Sequence, residues 1–169
     1  LNMKTTLLPL ICAVWNAQPN YNTGKCIIKN GRVDLYGKLS DLDELSCIEN
    51  LNEVYIVTVK NTDFTEIPKK LGEMVNLKIL IISNNMSMKL DNLDILKNCK
   101  KLETLIIQKI PLMCKIPASI KNFENLVQFI CTSSNIIEIS PELYKLKQLK
   151  LLDLSQNHLA SLSKDVDRK

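Results

Sequence analysis

Leu77-Lys78-Ile79-Leu80-Ile81-Ile82 and Leu102-Glu103-Thr104-Leu105-Ile106-Ile107 place apolar residues at positions 1, 4 and 6 of one frame. Val54–Val59, Leu126–Cys131 and Leu149–Leu154 share it, and the five starts lie 23, 25, 24 and 23 residues apart. A degenerate copy holds Val33-Asp34-Leu35; its first position, Asn30, lies 24 residues before Val54. Side chains alternate along a strand, so positions 4 and 6 turn to one face and 3, 5 and 7 to the other.

The second half of the unit recurs too. Ile67, Ile116 and Ile139 each stand ten residues before the next start. Leu71/Met74, Leu96/Cys99, Ile120/Phe123 and Leu143/Leu146 stand six and three residues before it. A unit this short cannot bury its own apolar face, so neighbours must stack. Stacking predicts six parallel strands about 4.8 Å apart, with Leu80, Ile82, Leu105, Ile107, Phe129, Cys131, Leu152 and Leu154 pointing inward.

These residues resemble the leucine-rich-repeat family in its 23–24-residue classes, over about residues 30–166. Leu102 to Pro117 is closest to the plant-type form, in which an Ile-Pro pair follows an asparagine turn. The resemblance implies an α/β leucine-rich-repeat solenoid: a curved right-handed superhelix with short parallel strands on the concave face and an irregular, 3-10 or helical convex side. In the family, position 9 is usually an asparagine that satisfies backbone groups at the turn. Asn85 and Asn157 fit; Thr62, Ile110 and Ser134 do not, so backbone groups there need other partners.

Residues 1–32 do not follow the repeat and read as an N-terminal cap of helix plus loop, with repeats over 33–169, the last truncated. Met3-Lys4 and the apolar run from Leu7 to Trp15 suit either a cap helix or a signal peptide across residues 3–17. Gly31-Arg32-Val33 resembles the lead-in to the first repeat of plant-type extracellular members, although the second cysteine of that cap motif is absent. Leu1 is not a start methionine, and the chain stops inside a unit. Both suggest a fragment or a processed form, with more chain or a cover at the C-terminal end.

Composition narrows function. The net charge is +4, with no long basic run or aromatic–basic interleaving, so no nucleic-acid surface is expected. Four glycines leave no phosphate loop, and no apolar stretch is long enough to span a bilayer. His158, the single histidine, has no ligand partner at metal spacing. Asp41, Asp43 and Glu44 read as a solvated cluster. Cys99 and Cys131 fall at core positions of the repeat, whereas Cys26 has two candidate disulfide partners, Cys12 and Cys47. Asn85-Met86-Ser87 is a glycosylation sequon, but position 9 demands a buried amide. No catalytic constellation, cofactor motif or metal site emerges, and the chain reads as a non-enzyme.

The remaining candidate is the outward face of the strands. Ile56, Ile79, Ile81, Ile106 and Ile130 form an apolar island there, with Lys60, Gln108 and Gln128 at its margin. β-Branched residues suit strands anywhere, but a contiguous apolar patch also marks a binding site. The expected function is protein or peptide recognition on this concave face, in a receptor-like or secreted protein, extracellular or at the cell surface. The alternatives are a cytoplasmic signalling scaffold and a regulatory domain fused to an enzyme outside this chain.

Overall fold

Six short strands stack in parallel: β2 (Arg32–Gly37), β3 (Ile56–Thr62), β4 (Ile79–Ser83), β5 (Thr104–Gln108), β7 (Gln128–Thr132) and β9 (Leu151–Asp153). The structure is a computed structural model and describes residues 24–39, 45–91 and 93–159. Each strand is followed by a turn and a return segment carrying it to the next. Short 3-10 turns at Leu51–Glu53, Lys69–Glu73, Asp94–Leu96, Ala118–Asn122 and Pro141–Lys145 occupy the returns. β6 (Lys115–Ile116) and β8 (Glu138–Ile139) form a second, two-stranded parallel sheet.

Register follows the repeat frame. Ile56 pairs with Ile79, Ile79 with Thr104, Thr104 with Gln128 and Gln128 with Leu151. Positions 4 and 6 are consequently in line. Leu80, Ile82, Leu105, Ile107, Phe129 and Cys131 are fully buried between the sheet and the returns. Leu71, Met74, Leu96, Cys99, Ile120 and Phe123 close the same core from the other side. Leu154 packs partly against it, but Leu152 remains 42% exposed. It lies on β9, the last strand described, with no described strand beyond it to cover the side chain.

The described part of the cap differs from the expected loop. Residues Lys25–Lys29 form β1, which pairs antiparallel with β2 and gives the main sheet its seventh strand. Asn30 (φ 50°) and Gly31 (φ 73°) make the two-residue turn between Lys29 and Arg32. Positive φ at both residues is what a tight type I′ hairpin requires, and Asn-Gly is its strongest sequence signal. A side chain at Gly31 would also lie 2.7 Å from the Glu53 carbonyl oxygen. Cys26 on β1 is disulfide-bonded to Cys47, not Cys12, with Cα atoms 6.6 Å apart. The helix or signal peptide expected before Trp15, Cys12, the Asp41–Glu44 cluster and residues 160–169 lie outside the described residues.

The turns after the strands repeat a backbone conformation that the residue types advertise at Gly37, Asn61 and Asn84 but not at Lys109, Ser133 and Gln156. Position 8 is left-handed in all six units: Gly37, Asn61, Asn84, Lys109, Ser133 and Gln156 have φ between 50° and 76°. Only Gly and Asn adopt this region readily. At position 9, Asn85 Oδ1 accepts from the Thr62 amide (2.8 Å), while Asn85 Nδ2 donates to the carbonyls of Val59 and Ser83. Asn157 repeats the arrangement with Ser134 N and the Cys131 carbonyl. Where asparagine is missing, Ser134 substitutes: its hydroxyl accepts from Ile110 N (3.2 Å) and donates to the Thr132 carbonyl. The Ile110 side chain enters the core, fully buried.

Candidate ligand-binding face

Because positions 4 and 6 face the core, positions 3, 5 and 7 stand on the opposite face of the sheet in continuous columns. Column 3 runs Arg32, Ile56, Ile79, Thr104, Gln128, Leu151, and column 5 runs Asp34, Thr58, Ile81, Ile106, Ile130, Asp153. Column 7 places Lys60 beside Ser83 and Ser83 beside Gln108. The candidate residues thus share one face across β3, β4, β5 and β7.

Ile79, Ile81, Ile106 and Ile130 form an apolar cluster of their own, separated from the main core by the sheet. Within it the roles differ. Ile81 and Ile106 expose only 3% and 4% of their surface. They are flanked in their column by Thr58 and Ile130 and diagonally by columns 3 and 7, so neighbouring side chains shield them. Ile79 and Ile130 are half-buried and supply the accessible apolar surface, with Ile56, Gln108 and Gln128 half-buried around them. Lys60 is largely buried, and burial followed by the Lys109 charge lowers its pKa from the ordinary lysine value.

Three features outside those eight residues shape the same face. Arg32 Nε donates to both carboxylate oxygens of Asp34 (2.9 and 2.8 Å), which ends the island in an ion pair on β2. At the other end Leu151, 45% exposed, prolongs column 3 with apolar surface. Between them the Thr58 hydroxyl is buried and lacks a hydrogen-bond partner. The columns contained these residues, but the ion pair requires the side-chain geometry, and the orphaned hydroxyl requires a count of its neighbours.

Elsewhere the chemistry is sparse. Among the described residues no three His, Cys, Asp or Glu side chains gather as metal ligands. His158 is exposed, and its backbone N–H donates to the Ile136 carbonyl. Cys114 is exposed, whereas burial raises the Cys99 thiol to about 11 and the Cys131 thiol to about 12. Among the described residues no helix is long and apolar enough to cross a membrane.

A stack of parallel strands, a column-ordered outer face and 3-10 returns define a leucine-rich-repeat solenoid. Solved structures agree. A leucine-rich-repeat protein of Leptospira interrogans superimposes with a TM-score of 0.67 and 27% identity, covering 80% of this chain and 33% of that one. The leucine-rich-repeat ectodomain of the receptor kinase SOBIR1 from Arabidopsis thaliana superimposes with a TM-score of 0.53 and 16% identity, covering 92% of each chain. This chain therefore spans about a third of the Leptospira protein's length. No family model and no curated protein matches the sequence. The fold and these neighbours support a protein-interaction repeat module.

Proposed function

We propose that the chain is the recognition module of a receptor-like or secreted leucine-rich-repeat protein, and that it binds a protein or peptide on its concave face. The observation that carries this reading is the second apolar cluster of Ile79, Ile81, Ile106 and Ile130, outside the core and ringed by Ile56, Lys60, Gln108 and Gln128. Strands hold these side chains rigidly, so binding costs little side-chain entropy. Burying the remaining apolar surface contributes about 25 cal/mol per Å² before association costs, and the amides and lysine fix orientation.

The Cys26–Cys47 disulfide favours an oxidising compartment, hence the cell surface or outside. The Ile116-Pro117 pair and the Gly31-Arg32-Val33 lead-in favour the plant-type class. In this reading the chain does no catalysis and binds neither metal nor nucleic acid on this face.

Selection of binders from a display library of extracellular protein fragments, with the whole chain as bait, tests the site. Ile79→Asp and Ile130→Asp are the diagnostic variants, because both positions are accessible. Ile106→Asp is not, since a carboxylate there is desolvated and costs stability. Loss of binding at an unchanged thermal midpoint supports the site. Selected partners that bind both variants normally place recognition elsewhere.

A further inference from the structure

The return side of the solenoid carries a charge pattern that the concave face does not explain. A groove of about 420 Å³ lies between the turns Ala118–Asn122 and Pro141–Lys145, and Lys121, Lys145, Lys147, Asn125 and Gln148 line it with Glu124. Lys97, Lys100 and Lys101 extend the basic surface along the preceding return, and all six lysines are exposed. Against them stand Asp94, Glu124 and Glu142. Asp94 accepts from Asn122 Nδ2, and Glu142 pairs with Lys145 at 2.7 Å. Among the described residues Lys97, Lys121 and Lys147 have no carboxylate at ion-pair distance, although Glu142, paired with Lys145, also feels the Lys121 charge from further off.

We propose that this surface binds a linear polyanion of the sulfated-polysaccharide class, seated between Lys121 and Lys147. Flexible ammonium groups on successive returns act as point charges for sulfates along a chain. A flexible chain follows a convex surface, which a flat bilayer touches only locally. Nucleic acid suits the patch less: single strands need successive stacking aromatics, and Tyr144 is the one exposed aromatic beside these lysines. The choice of a sulfated glycan rests on the oxidising compartment proposed above.

The test is a titration of the whole chain with heparin at several salt concentrations. It compares Lys121→Ala/Lys147→Ala with a control of equal charge on other exposed lysines, Lys89→Ala/Lys115→Ala. The expected result is an affinity loss of about tenfold for the first pair only, with a salt slope shallower by roughly two. Equal losses from both pairs, no binding at physiological salt, or tighter binding to single-stranded DNA or anionic vesicles than to heparin overturns the proposal. Ile79→Asp should bind heparin normally, so a failed concave site and a failed basic groove give different results.

Discussion

Thr62 donates both its amide and its hydroxyl to a single acceptor, the side-chain oxygen of Asn85 in the next unit, at 2.8 and 2.7 Å. The asparagine returns two bonds, to the Val59 and Ser83 carbonyls. One fully buried side chain therefore satisfies the turns of two units. Asn85→Ala strands the Thr62 amide and the Val59 carbonyl, and each orphaned group costs about 1–3 kcal/mol. A denaturant series should show a loss of roughly 2–4 kcal/mol; a change below about 0.5 kcal/mol would show that water replaces the amide.

The same geometry governs the sequon. Asn85 Nδ2, the atom a glycan would join, is buried and hydrogen-bonded. Secretion from a glycosylating host should yield Asn85 unmodified by mass spectrometry, and a substantially occupied site would mean the turn forms after modification.

Core substitutions should depend on place along the stack. Leu105 is fully buried between neighbours on both sides, so Leu105→Ala should cost about 2–5 kcal/mol by leaving a cavity. Leu152 is part-exposed and should cost much less on the same change. Equal shifts in denaturation midpoint would contradict this ordering.

The Cys26–Cys47 bond closes a loop of sequence separation 21 and ties the edge strand β1 to the return segment shortly before the 3-10 turn Leu51–Glu53. By loop-closure entropy its removal costs roughly 3 kcal/mol. Cys26→Ser/Cys47→Ser should lower the midpoint accordingly, and hydrogen exchange should rise first in Lys25–Lys29. Uniform exchange across all strands would show that the bond supports the whole stack.

Thiol reactivity follows burial. At pH 8 the Cys99 and Cys131 thiols, raised to about 11 and 12, are almost entirely protonated as well as enclosed. Alkylation of the native chain should mark exposed Cys114 quickly and these two only after denaturation. Fast modification of native Cys131 would mean that position 6 does not face the core.

The sequence alone determined the stack. A period of 23 to 25 residues, with apolar residues at fixed offsets, can be satisfied only by neighbours burying one another's faces. It therefore fixed which side chains pair across Ile56, Ile79, Thr104, Gln128 and Leu151. The hairpin at Asn30-Gly31 is legible as well, in the Asn-Gly pair between Ile27-Ile28 and Val33. What only the tertiary structure decided depends on atoms brought together from different units. Cys47 rather than Cys12 reaches Cys26, because pairing needs spatial proximity and not spacing. Ser134 serves the Ile110 amide, because a hydroxyl one unit away can replace a missing side-chain amide. Ile81 and Ile106 lie shielded while Ile79 and Ile130 remain accessible, because exposure is set by the side chains that flank each residue on adjacent strands and not by the residue's own type.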